Sequence, residues 1–239
     1  MSVDDPTAGS TTATEPVRRR DLAVARSLDS ARLRSEGRVQ RFLDAGFELL
    51  ARAESGKEFT VQEVVDRSGQ SLRSFYQYFA GKHELLLALF DEAILSTADR
   101  LEEQLARQDT PLERLHCFVT EYYRMCLPAP KGRPSKNNPT PVMAEFCHQL
   151  LTAHQTEASR AFVPLVTLLE TVLDDAAQSG DVPKGLNHAE VAGAILSTIM
   201  FNAAYAHTIS GSEEPANGEH AATQLWDFLS GGLVTRRAG

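Results

Sequence analysis

An all-α protein in two parts is what this sequence predicts: an N-terminal three-helix module with a helix-turn-helix, joined to a larger helical domain. Three observations point there. Apolar residues recur at the helical period along most of the chain. The periodic segments start at Thr, Ser or Asn and stop at Gly or Pro, as helices do. No stretch shows the apolar–polar alternation of a half-buried strand, and no internal repeat is present.

The chain has 239 residues, 42% hydrophobic and 23% charged, within the range of one large globular domain or two modest ones. Its net charge of −8 argues, taken alone, against nucleic acid. The charge is unevenly placed, however: residues 18–90 carry roughly +3 and residues 91–239 roughly −8, which suggests two jobs. Cys117, Cys126 and Cys147 are an odd number without regular spacing, not a disulfide framework. The N-terminus MSVDDPTAGSTTATEPVRRR has no apolar core and so does not read as a secretory signal. The longest apolar stretch, about residues 191–206, is interrupted by Ser197, Thr198 and Asn202 and is short for a membrane span of ~20 residues. A cytoplasmic location without a membrane partner is the expectation.

Residues 1–37 read as a disordered, basic arm. The first 17 are rich in Thr, Ser, Asp and Pro, and Arg18, Arg19, Arg20, Arg26, Arg32 and Arg34 follow, with Leu22, Ala25 and Leu28 supporting at most a short, weak helix. From about Arg38 the period sharpens, with Phe42, Leu43, Phe47, Leu49 and Leu50 on one stripe. Glu54-Ser55-Gly56 ends that helix. Thr60-Val61-Gln62-Glu63 matches a capping box opening a second, short helix with Val61, Val64 and Val65 inward, and Ser68-Gly69 stops it. Ser71 caps a third helix reaching Phe79. A fourth starts near Lys82 and passes Leu101, and Thr110-Pro111 opens a fifth, to about Leu127. The prolines of 128–141 mark a loop. Helices are expected near 141–153 and 156–178, the latter broken or bent at Pro164, then from Asn187-Glu190 to about Ile209, and finally from Ala221 to Leu229.

Two short helices around Gly69 form a helix-turn-helix, a geometry in which the second helix lies in the DNA major groove. With Phe75 taken as inward, roughly 100° per residue places Phe79 beside it and Leu72 at the edge of that face. Arg73 and Gln77 then point away, flanked by Ser74 and Tyr76. Arginine's fork matches the two acceptors of guanine, and glutamine suits adenine or a phosphate. Ser74, Tyr76 and Tyr78 suit phosphate oxygens, which set register without reading sequence. Lys82 opens a helix, where the dipole disfavours a cation by up to ~1 kcal/mol unless a phosphate lies nearby.

The run TVQEVVDRSGQSLRSFYQYFAGKHELLLALF, with Phe75-Tyr76, Phe79, Lys82 and Leu85-Leu86 in place, resembles the DNA-binding module of the TetR family of transcriptional regulators. The resemblance covers residues 38–90. It implies DNA contacts from Thr60, Gln62, Ser71, Leu72, Arg73, Ser74, Tyr76, Gln77, Tyr78 and Lys82. Gln70 departs from the family's usual apolar turn residue. Leu72, often polar in relatives, is by its period either a core residue or a contact to a thymine methyl. The basic arm follows the minor groove or adds only salt-sensitive affinity.

The resemblance further implies domains at 38–84 (DNA-binding) and 85–232 (ligand-binding and dimerisation). The expected product is a repressor that binds a palindromic double-stranded operator as a homodimer through its two C-terminal helices. Ala192, Gly193, Ala194, Ser197, Ala203 and Ala204 permit close helix approach there, and Leu225, Trp226, Phe228 and Leu229 add apolar surface. A hydrophobic small-molecule inducer would sit among Phe118, Tyr122, Met125, Phe146, Phe162 and Leu165, with Met200 and Phe201 nearby, although each is also a plausible core residue. The loop 128–141, with Lys131, Arg133 and Lys136, either gates that pocket or does not. His116, Cys117, Cys126, Cys147 and His148 lack zinc-site spacing, so no metal and no cofactor are expected. The alternatives are an enzyme or a helical interaction protein whose helix-turn-helix does not read DNA. The chain has no H-E-x-x-H, Gly-rich phosphate loop, G-x-S-x-G or Cys-x-x-Cys to favour the enzyme.

Overall fold

A computed structural model describes residues 19–52, 59–127, 140–211 and 218–234. Among them are nine α-helices: α1 (Arg19–Arg52), α2 (Val61–Ser68), α3 (Leu72–Tyr78), α4 (Lys82–Leu105), α5 (Pro111–Cys126), α6 (Pro141–Ala153), α7 (Gln155–Gln178), α8 (His188–Ser210) and α9 (Gly218–Leu233). The described residues contain no strand. The chain divides into two compact units between Arg41 and Phe42, so α1 begins in the first and ends in the second.

The first unit corrects an expectation. Residues 19–37 were expected to be a disordered arm, yet α1 is helical from Arg19. The residues there are mostly Ala, Arg, Leu and Ser, of which the first three are strong helix formers. Arg32 Nε also donates to Glu36 Oε1 at 2.6 Å, one helical turn away. A buried apolar stripe is what marks a helix in a sequence, and no described side chain of 19–41 is buried. The first 18 residues lie outside the described ones.

In the second unit the local rules hold. Glu63 N–H donates to the Thr60 hydroxyl at 3.3 Å, and Thr60 N–H donates to the Glu63 carboxylate at 2.6 Å, closing both halves of the capping box. The same reciprocal pair joins Thr110 and Glu113 at the start of α5 (3.2 and 3.0 Å). The Thr110 hydroxyl, which donates to the Glu113 carboxylate at 2.9 Å, and then the Thr110 N–H hold that carboxyl below its usual range. Asn187 pairs with Glu190 ahead of α8 (2.9 Å). Gly69, at φ 63°, takes the left-handed conformation that ends α2 and turns the chain toward α3. Replacing Thr60 by alanine is expected to cost about 1 kcal/mol. Urea denaturation followed by circular dichroism would measure it.

Other expectations shift. Phe42, Leu43 and Leu50 are buried as expected, but Phe47 is exposed and Leu49 only half-buried. The neighbouring face instead carries Ala45 and Gly46. A Cβ on Gly46 would lie 2.8 Å from Leu89, so this glycine permits close approach of α1 and α4. The helix α7 runs unbroken through Pro164, which removes a single i→i−4 bond from a 24-residue helix. The helix α9, Gly218–Leu233, holds the expected Ala221 to Leu229 and extends beyond both ends. Of the expected loops, residues 128–139, including Lys131, Arg133 and Lys136, and 212–217 lie outside the described residues.

Beyond the helix-turn-helix, α7 packs on α4, α5, α6 and α8, and α5 also meets α8 and α9. Leu101, Leu115, Phe118, Leu165, Leu169, Leu173 and Ile199 are completely buried among them. Arg114 on α5 reaches Asp175 on α7 at 2.7 Å, and His188 reaches Asp174 at 2.5 Å. Among the described residues no helix is long and apolar enough to cross a membrane.

Candidate nucleic-acid interface

The helix α3 is only seven residues long, too short to persist by itself, so packing must hold it. Phe75 supplies that packing. It is fully buried, with the Phe42 ring edge-on at 5.5 Å and the Phe79 ring at 5.3 Å. Phe42 also meets Phe79 edge-on at 6.1 Å. Three aromatics from α1 and α3 therefore pin one side of the helix. At its start, the Ser71 hydroxyl accepts the Ser74 N–H at 3.1 Å. The pinned face is the one that the 100° construction had assigned.

On the other side Arg73, Gln77 and Tyr76 are exposed. Leu72 is 42% exposed, so it is not a core residue. A leucine methyl at this place is available to a thymine methyl. The Tyr76 ring leans edge-on against Phe75 at 5.4 Å, which limits where its hydroxyl can go.

Four of the sequence-derived contacts are engaged or partly buried, and of these only the engagement of Thr60 follows from the sequence, through its capping box. The Ser74 hydroxyl oxygen is buried and makes no hydrogen bond among the described residues, so it does not face outward with Tyr76. Tyr78 is half-buried. The Gln62 side-chain amide donates to Asp66 at 2.7 Å, one turn along α2. The Thr60 hydroxyl is engaged in its cap. Of the sequence-derived contacts around α3, Ser71, Leu72, Arg73, Tyr76 and Gln77 are exposed.

Lys82 is the first residue of α4, where the helix dipole opposes a cation. Its ammonium lies 5.1 Å from the centroid of Phe59, a contact worth ~0.5–1 kcal/mol at such sites. Phe59 therefore offsets the dipole before any phosphate arrives. In the sequence the mark of this contact is an aromatic, Phe59, just ahead of the Thr60 cap. Elsewhere on this module, Arg67 is committed to Glu48 through Nε at 2.5 Å, so it is less available than Arg73.

The expected pocket residues fall into groups. Phe146 and Phe162 both set their rings edge-on to Phe90 of α4, at 6.3 and 5.6 Å. Phe118 and Tyr122 stack at 6.0 Å along α5, and Leu165 is completely buried. Met125 and Met200 are half-buried. Phe201 is the misfit: its side chain is 58% exposed. Ile195, Leu196, Ile199 and Ala203 form the inward stripe of α8, and Phe201 lies about 200° around the helix from Ile199.

The cysteines are free and half-buried. Burial pushes the Cys126 thiol up to about 12 and the Cys147 thiol up to about 11, far from a reactive thiolate at neutral pH. Tyr122 shares a hydrogen bond with Cys126, and burial raises its hydroxyl well above the usual range. His116 sets its ring edge-on to Trp226 of α9 at 4.9 Å, a packing role.

Residues 42–89 match the family described as "Bacterial regulatory proteins, tetR family". The chain is similar to the fatty acid metabolism regulator protein of Bacillus subtilis (strain 168), 22% identical over 151 residues that cover 63% of this chain and 73% of that protein. In structure it resembles the Bacillus subtilis transcriptional regulator FadR in complex with stearoyl-CoA, with a TM-score of 0.56 and 16% identity, covering 81% of this chain and 98% of that one. It also resembles the fatty acid degradation regulator FadR of Bacillus halodurans, with a TM-score of 0.60 and 18% identity, covering 83% and 97%.

Proposed function

The chain belongs to the TetR family of bacterial regulators, and from that premise we propose that it is a repressor binding a palindromic operator as a homodimer and released by a hydrophobic effector. Regulators of this family bind DNA operators as dimers and respond to small molecules. The observation that carries the DNA assignment is the two-sided α3: Phe75 and Phe79 pinned on Phe42, with Arg73 and Gln77 exposed opposite them. A helix so held presents rigid side chains to a groove, and Arg73 is the base reader. Ser71, Tyr76 and Lys82 bind phosphate and set register.

Dimerisation is supported by α8 and α9. From Val191 to Tyr205, α8 has no charged residue, although Gly193, Ala194, Ser197, Phe201, Ala204 and Tyr205 are all exposed. Such a helix is apolar on a face that its own chain leaves uncovered. The effector would lie among Phe90, Phe118, Phe146 and Phe162 and act by binding one conformation of the dimer better than the other. Similar proteins include a fatty acid metabolism regulator, a fatty acid degradation regulator and a regulator in complex with stearoyl-CoA, so long-chain acyl thioesters are the first class to try.

The test is selection of bound genomic fragments with purified protein at near-physiological salt, alongside Arg73→Ala. A short inverted repeat should be enriched. The variant should lose about 1–3 kcal/mol of affinity and relax at one base position. Equal binding of all sequences by both proteins would overturn the reading, as would an acyl thioester that binds tightly without changing operator affinity.

A further inference from the structure

We propose that His83, His154 and Glu157 form a binding site for a divalent transition-metal cation of the zinc class, joining the first turn of α4 to the junction of α6 and α7. The three come from separate places in the chain. His83 is the second residue of α4, His154 is the single residue between α6 and α7, and Glu157 lies in the first turn of α7.

Their metal-binding atoms converge. His83 Nε2 lies 2.9 Å from Glu157 Oε2, and His154 Nδ1 lies 3.7 Å from the same oxygen. All three donor atoms lie within 4.8 Å of one another. Two imidazole nitrogens and a carboxylate are the donor set of three-ligand zinc sites, with bonds of ~2.0–2.2 Å and a fourth position open to water. Donors around such an ion sit roughly 3.3 Å apart. The widest pair must therefore close by somewhat over an ångström. The side chains are 47%, 47% and 36% exposed, so rotation can supply that movement.

Two further features favour a cation over a simple ion pair. An exposed histidine–carboxylate pair contributes little and needs only one histidine. Here a second imidazole is brought to the same oxygen, its ring 4.8 Å from the first. The His83 ring is in turn set edge-on to buried Phe146 at 5.5 Å, which restricts its orientation as an outer partner does for a metal ligand. His154 and Glu157 stand three residues apart, which puts them on the same side of the helix start.

Only three residues separate α3 from α4, so an ion held here fixes the element that follows the exposed helix. Uptake of the ion itself needs no DNA and stands independently of the DNA-reading assignment.

The experiment is a titration of the full-length, tag-free, chelator-treated chain with Co²⁺, followed by visible absorption and then displaced by Zn²⁺. One equivalent per chain should bind, with the visible bands of four-coordinate cobalt. His154→Ala and Glu157→Gln, both at solvent-accessible positions, should weaken binding by more than the ~10–100-fold that outer-shell changes cost. His148→Ala, which alters an exposed histidine of α6, should bind as the parent does. Circular dichroism melts identify any variant that fails to fold, and Glu157→Asp then replaces it, with the same loss expected from its shortened reach. Absence of cobalt uptake, or undiminished uptake in His154→Ala and Glu157→Gln, would overturn the proposal.

Discussion

Phe75→Ala should destabilise the helix-turn-helix by about 3–5 kcal/mol, the usual cost of deleting a fully buried phenylalanine. The ring touches Phe42, Tyr76 and Phe79, with centroids between 5.3 and 5.5 Å away, so its removal leaves a cavity that three rings must fill together. Rings of this size do not collapse into it without leaving their rotamers. A seven-residue helix has little else to hold it, and α3 should lose its place before the larger helical bundle unfolds. Urea denaturation, with hydrogen exchange on α2 and α3, would read this. Specific DNA binding should vanish together with the protection of α3. Arg73→Ala supplies the contrast, since removing an exposed side chain should weaken DNA binding with stability within ~0.5 kcal/mol. A loss for Phe75→Ala below about 1 kcal/mol would mean that the aromatic cluster does not anchor the reading helix.

Much of the fold was legible because its boundaries are local chemistry. Thr60 with Glu63 and Asn187 with Glu190 each satisfy donors within one turn, and Pro111 after Thr110 removes one, so sequence spacing alone locates them. Gly69 was legible for the same reason: a left-handed turn after Ser68 favours a residue without Cβ. The beginning of α1 was not, because its first part has no buried side chain among those described and rests on intrinsic propensity. The continuity of α7 through Pro164 escaped for a related reason. One lost hydrogen bond is decisive in an isolated helix but not in one held by Leu165, Leu169 and Leu173.

The same division runs through the site. Which way Arg73, Gln77 and Phe75 point follows from the helical period. The engagement of Gln62 by Asp66 or of Lys82 by Phe59 does not, since it depends on the side-chain conformations chosen. Phe201 was expected near the pocket from the packing of the helices, but the inward stripe of α8 is Ile195, Leu196 and Ile199, which leaves Phe201 exposed. The meeting of His83 with Glu157, 74 residues later, belongs to tertiary packing entirely. Spacing rules for metal ligands search short intervals and pass over it.

Phe201→Glu should convert the proposed dimer to monomer and weaken operator binding by ~10²–10⁴-fold, the gain that joining two recognition modules provides. Phe201 stacks on Tyr205 at 5.0 Å, and both rings are exposed on α8. Phe228, 75% exposed on α9, adds to the apolar surface. Among the described residues, nothing beyond its own stretch of helix lies within 4 Å of where a Cβ on Gly193 would stand, so that part of α8 is open to a second helix. In an isologous interface each substitution appears twice, and a carboxylate at 201 would be buried against apolar surface, next to its own copy if the position lies near the axis. The monomer itself should be unharmed, because the side chain makes no contribution to its core. Sedimentation should therefore show half the parent mass with an unchanged circular dichroism spectrum. Binding to a half-site should survive at the affinity of one module, and Arg73→Ala should weaken that residual binding further. A variant that remains dimeric would move the interface off this face of α8. One that becomes monomeric yet binds the full operator as tightly as the parent would remove the two-module requirement altogether.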